Sequence, residues 1–447
     1  MIKGKFSRRR FLKATGALAG AMMFDKYMPS RGLAAFAQGV PSVDPITILI
    51  NDSPWFPGFA ALTEMYTEAT GNVINLDVTP FNGMFEKGRN AATSGESEYD
   101  VLAISEGFQQ FFYAGGLLTP ITDIDPEFDL DPQIISYGDM GRWDPELKTN
   151  TPDGQILGIP INGNIQLYYY RRDLFEEAGF EPPTTHAEME TIAEHFNNQP
   201  RMSGLAVRAN PIWWEFGSYM HSYGAPYLSL GDDGAWAIGM EQPEALDAVN
   251  TFIRHGQTWA PPNYTEIGQS ELLALMSSGR LAQAHFVGAA APNFDKPDQS
   301  VVVGQVNATV VPGATTDSRV TGSGAWCMSL PANIDQGRKE AGLTFLKWAT
   351  QAEQQVAYAL AGAIPVRQDT YETLSTHETL GWWTSAFAES TPFIKALPRV
   401  PETPEFRSSV NLRMAQAYAG EIPVDEAVAL MGQETRAILE AAGYTLK

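Results

Sequence analysis

The chain has 447 residues, with 52 acidic against 30 basic side chains and a formal charge of −22 at pH 7. At roughly 150 residues per domain that is room for two domains. So acidic a surface repels phosphate backbones and anionic membranes, which argues against nucleic-acid and lipid partners. The single cysteine, Cys327, excludes an internal disulfide and cysteine-ligated metal clusters.

Ser7-Arg8-Arg9-Arg10-Phe11-Leu12-Lys13 followed by a mild apolar stretch, Ala14 to Phe24, reads as a twin-arginine export signal. Ala35-Phe36-Ala37 offers a small-x-small cleavage site, so residues 1–37 are expected to be removed. The apolar stretch is too short to cross a hydrocarbon core, which needs roughly 20 residues. No cysteine sits at the end of this signal, so no lipid anchor is expected and the protein should diffuse freely in the periplasm.

Ile46, Ile48 and Ile50 alternate up to Asn51-Asp52-Ser53, a strand ending in a polar loop. Helical spacing over Phe56 to Thr70 closes at Gly71. Val73 to Val78 predicts a second strand, Met84 to Thr93 a second helix, and Tyr99 to Ile104 a third strand ending at Ser105-Glu106. Strand and helix in alternation predict a parallel, doubly wound α/β sheet, whose ligands bind beyond the carboxyl ends of the strands.

Gly158 to Glu188 is the most informative segment: GIPINGNIQLYYYRRDLFEEAGFEPPTTHAE. Its alternation predicts a half-buried strand, and Asp173 offers an N-cap to a short helix stopped by Gly179. Thr185 and Glu188 have capping-box spacing for the next helix. Further on, helices are predicted from Pro243 to His255 with a stop at Gly256, and from Glu271 to Ser278. A strand is predicted over Val301 to Val311, and helices over Lys339 to Ala349 and Gln351 to Leu360, the last behind a Thr350–Glu353 capping box. Residues 320–331 and 362–367 read as further extended segments.

The Gly158–Glu188 segment resembles the crossing segment of the extracellular solute-binding proteins of carbohydrate ABC transporters. Landmarks that match the same family are Gly116-Leu-Leu-Thr-Pro120, Met276-Ser-Ser-Gly279-Arg280, Gly322-Ser-Gly-Ala-Trp326, Phe345-Leu-Lys-Trp348 and Ile364-Pro365-Val-Arg367. The resemblance implies a two-lobed periplasmic binding protein fold of type II character, each lobe a sheet flanked by helices, joined by three interlobe crossings. The first lobe would comprise residues 44–162 plus 327–361, the second 165–320 plus 366–447. It implies capture of a sugar, oligosaccharide or polyol by hinge closure, and ABC permease subunits as partners of a monomer. Hinge closure is the motion for which periplasmic binding proteins are the standard example.

Enzyme motifs are absent: the sequence has no GxGxxG, P-loop or GxSxG, and its six histidines show no metal spacing. The acidic run Asp123 to Asp131 lacks the glycine and terminal glutamate of a calcium loop. No cofactor is expected, and a glycoside-active enzyme is the alternative from another class. Sugars present C–H faces and hydroxyl edges, so aromatic platforms with directed polar groups mark candidate residues. From the loops after the first strands come Asp52, Trp55, Phe81, Asn82 and Glu106. The crossing strand adds Asn162, Asn164 and Tyr168, although a one-residue shift would invert its faces. From the second half come Trp213 and Trp214, with Trp213 the favoured platform, then Gly324, Trp326 and Arg367. A phosphorylated polyol would need a cationic cluster that these segments do not offer beyond Arg367, so a polyamine is the more serious rival solute.

Overall fold

The computed structural model describes residues 39–447 apart from Pro54; the export-signal expectation falls outside the described residues. In chain order the first lobe builds β1 (Ile46–Asp52), α1 (Phe56–Thr70), β2 (Ile74–Pro80), α2 (Phe81–Thr93) and β3 (Val101–Ser105). Strands β1, β2 and β3 pair in parallel, as the alternation of strands and helices predicts. Two later strands complete the sheet: β4 (Ile159–Asn162) and, far along the chain, Trp326–Ser329. The latter lies antiparallel between β3 and β4, giving five strands in all. Strand β3 is buried along its whole length, which is why it reads as an unbroken apolar run. Helix α1 ends at Gly71, left-handed at φ 80°, and lays Phe59 and Tyr66 on Phe345 and Trp348.

The second sheet centres on β5 (Gln166–Arg171), flanked on both edges by antiparallel strands, β6 (Gln283–Val287) and β7 (Val306–Thr309). All six residues of β5 are buried, so it is not the half-buried strand expected from its alternation. Tyr168 and Tyr170 stack towards one layer, while Tyr169 packs on Phe286 and Phe294 in the other. After β5 the Gly179 stop and the Thr185–Glu188 capping box form as expected. Asp173 does not cap; it is held by Arg171 instead.

Two other local expectations fail. The helix α3 (Glu244–Trp259) runs through Gly256, because the ring of Tyr418 lies against it: a Cβ there would sit 1.5 Å from the Tyr418 hydroxyl. Thr350 donates to the Leu346 carbonyl and does not form a capping box for the helix at Ala352–Leu360. Helices α4 (Thr403–Tyr418) and α5 (Val424–Ala441) close the chain. They share an apolar core with α3 through Phe252, Phe406, Met414 and Leu439.

Three extended segments pass between the sheets, and they are bonded to one another. Gly163 N–H donates to Ile364 O at 3.1 Å, and Gly324 N–H donates to Asn164 O at 2.9 Å. Ile165 and Ser323 form a further bridge. Gly163 permits this approach: a Cβ there would lie 2.2 Å from both the Pro365 carbonyl and the Tyr137 hydroxyl. Gly163→Ala is therefore expected to push the crossings apart. A cost of about 1–3 kcal/mol is typical of overpacking, and calorimetry should show a lower melting temperature. Gly95→Ala, where a Cβ meets nothing within 4 Å, should leave it unchanged.

Candidate functional site

A cleft of about 560 Å³ opens beside the crossings, a size typical of small-molecule sites. The end of β3 and the loop after it supply Ser105, Glu106 and Gly107; Phe81 stands at the start of α2. The crossings supply Asn164, Ser323 and Gly324. The second lobe supplies Arg208, Pro211, Trp213 and Trp214, and α4 supplies Thr403, Arg407, Ser408 and Asn411.

Its floor is a chain of polar contacts. Ser323 Oγ donates to Glu106 Oε2 at 2.7 Å, and the indole N–H of Trp214 donates to Ser323 O at 2.6 Å. Gln166 steadies the same corner, donating to Trp214 O and accepting from Gly322 N–H. The Trp214 ring is thus held at its edge, with the Arg208 guanidinium 6.0 Å from its centroid. Behind Glu106 lies Arg399, whose Nη2 is 3.1 Å from Glu106 Oε1. That contact is coulombic, since Glu106 Oε1 accepts no hydrogen bond. The Arg399 donors go to the carbonyls of Tyr137 and Gly138. Arg399 therefore places a positive charge behind Glu106, whose carboxylate oxygens can accept hydrogen bonds from hydroxyls.

Helix α6 (Trp213–Ser222) carries both tryptophans into the site, and Asn411 of α4 caps its first N–H at 3.0 Å. On α4, Thr403, Arg407 and Asn411 recur every fourth residue on one face, beside the buried stripe Phe406, Val410 and Met414. Among the described residues Arg407 has no ion pair or hydrogen-bond partner, and burial pushes its pKa below the ordinary value. One turn into α6, Glu215 is fully buried beside His285, 3.7 Å away. Burial pushes Glu215 up to about 8 and His285 down to about 3. Both are therefore neutral near pH 7, and their contact is not an ion pair.

Of the residues expected from sequence, the cleft gathers Phe81, Glu106, Asn164, Trp213, Trp214 and Gly324. The preference for Trp213 is not supported by its packing: it stacks on Tyr227 with centroids 4.0 Å apart, leaving Trp214 as the half-exposed ring. Asp52, Trp55, Asn162, Tyr168, Trp326 and Arg367 lie away from the lining. Tyr168 is wholly buried, its hydroxyl on Gln283, because β5 is covered on both faces. Trp55 and Trp326 pack on each other in the first-lobe core, with Phe81 standing between Trp326 and the cleft. Asn162 is buried in β4 opposite Trp326. Asp52 is exposed at the end of β1, and Asn82 sits in the first turn of α2. Arg367 is buried at the third crossing, where Asp131 and Asp369 hold it, so its place is the hinge. Missed were Arg208, Arg407 and Asn411, together with Ser323. The four-residue polar spacing on α4 was the signal available for two of them.

The chain belongs to the bacterial extracellular solute-binding protein family, whose model matches residues 61–389. It is similar to a mannitol-binding protein of Pseudomonas aeruginosa, with 26% identity over 383 residues, covering 79% of this chain and 83% of that one. An erythritol/L-threitol-binding protein of Mycolicibacterium smegmatis is 21% identical over 348 residues, covering 73% and 71%. In fold the chain resembles an ABC transporter solute-binding protein from Agrobacterium radiobacter in complex with ribitol. That match has a TM-score of 0.72 at 19% identity, covering 89% of this chain and 100% of the other.

Two predictions follow from this geometry. In the folded state Glu215 keeps its proton up to about pH 8, whereas it ionises near 4.5 when exposed. Its contribution to stability is full below pH 4.5 and is lost as pH rises towards 8. Glu215→Gln removes that dependence, so the melting temperature of the native protein should fall relative to the variant between pH 5 and pH 8. Arg367→Met should lower the melting temperature while leaving solute affinity within about twofold, as expected of a residue that braces the hinge.

Proposed function

We propose that this protein is the periplasmic solute-capturing subunit of an ABC importer and that it takes a sugar or polyol into the cleft between its lobes. The observation that carries this reading is the cleft floor, where Glu106, Ser323 and Trp214 bring a carboxylate acceptor and an oriented indole together from both lobes and a crossing. A hydroxyl-rich solute offers donors for the carboxylate and C–H faces for the ring. The names of the mannitol- and erythritol-binding relatives and the ribitol complex support the same class of solute.

The first lobe is read as residues 44–162 plus 327–361 and the second as 165–320 plus 366–447, with closure about the bonded crossings. Solute that touches both lobes stabilises the closed form over the open one, and that difference is what membrane permease subunits would sense. Export through the twin-arginine route, release without a lipid anchor and a monomeric state complete the proposal. Binding without turnover separates it from a glycoside-active enzyme.

Thermal-shift screening across sugars, polyols and amines, followed by solution scattering with the best compound, tests the reading. Polyhydroxy compounds should raise the melting temperature and reduce the radius of gyration, and chromatography should return them unaltered. A response to amines alone, or an altered compound, would overturn it. Trp214→Ala should weaken binding about tenfold, the scale of a lost aromatic platform, whereas Trp55→Ala should act on stability.

A further inference from the structure

We propose that the solute carries a carboxylate as well as hydroxyls, a sugar acid of the aldonate or uronate class, with its charged end placed between Arg208 and Arg407. This rests on the polyhydroxy-solute reading above and narrows it.

The argument starts from where the unpaired cations are. Among the described residues, every other arginine that is not fully exposed reaches a carboxylate or a carbonyl; Arg171 with Asp173 and Arg338 with Asp100 are examples. Arg208 and Arg407 alone reach neither, and both line the same cleft. Arg208 Nε is buried with no acceptor, although the guanidinium rests over Trp214. Arg407 Nη1 reaches towards Gly107, where a Cβ would lie 3.9 Å away, so the glycine leaves room in front of it. In a chain with net charge −22, two uncompensated guanidiniums in one cavity form a local reversal of sign.

Nearby acids do not cancel that charge. Glu106 is the one acidic residue among the described residues that line the cleft, and Arg399 already stands against it. Glu215, whose field reaches Arg208, is fully buried and protonated. Half-buried guanidiniums pay a desolvation cost that hydroxyls offset only in part, whereas charge-assisted bonds to a carboxylate are about twice as strong as neutral ones. The planar guanidinium fork also matches a carboxylate in shape.

Titration calorimetry with the purified protein tests this, using matched pairs: D-mannitol with D-mannonate, ribitol with D-ribonate, and D-galactose with D-galacturonate, plus mannitol 1-phosphate. At least one acid should bind about tenfold or more tightly than its neutral counterpart, with an affinity that falls as salt is raised. Arg407→Gln and, independently, Arg208→Gln should cost the acid about tenfold more than they cost the neutral compound, while Arg407→Lys keeps part of the preference. Near-ultraviolet circular dichroism checks that each variant is folded. If neutral compounds bind as tightly as the acids, or both substitutions weaken the two classes equally, this inference fails and the polyhydroxy reading stands. Binding of the phosphate alone also overturns it. Should no polyhydroxy compound in any form bind, the underlying reading falls and takes this one with it.

Discussion

Ser323 is the residue on which the arrangement of the cleft depends. Its hydroxyl holds Glu106 from the first lobe, its carbonyl holds the indole of Trp214 from the second, and its own N–H is bonded to Lys395 O at 3.0 Å. A crossing segment that only linked two sheets would need none of these bonds. Because the same three atoms both connect and orient, the ligand-facing groups are set by the hinge itself. Gly324 beside it keeps the spacing open: a Cβ there would meet Asn164 and the Trp214 ring at 3.2 Å.

Several buried charged groups in this molecule have a compensating arrangement. Arg399 is almost fully buried, yet it spends its donors on two carbonyls and its charge on Glu106. Arg367 is treated the same way by two aspartates at the third crossing. Glu215 follows the other route and gives up its charge altogether. Removing one partner from such a set costs more than the bond itself, since the group left behind keeps its desolvation penalty. Cys327 belongs in the same company: burial pushes its thiol up to about 12, so it remains an unreactive thiol.

Much of the fold was legible because its signals are local. The left-handed glycines after α1 and at Gly179, the Thr185–Glu188 capping box and the parallel order of the first strands all follow from short-range spacing. So do Phe81 and Glu106, which sit where strands of a doubly wound sheet end. What failed needed knowledge of the opposite face. Alternation could not say that β5 is covered on both sides, so Tyr168 was placed in the cleft although it lies in a core. Trp213 and Trp214 are adjacent in sequence, and only the position of Tyr227 decides which of them is buried. Arg208 and Arg407 come from a loop and a helix far apart in the chain, so their sharing one cleft is a property of tertiary packing alone.

The backbone bonds among the three crossings have a mechanical consequence. A single linker would let two lobes twist, slide and splay in any direction, and each partial arrangement would present a different outline. Three tapes laced side by side resist shear and stretching, so bending about their common line is the soft motion left. Under the proposed function, a filled molecule and an empty one would differ mainly in one angle, and a membrane partner would meet two outlines rather than a continuum.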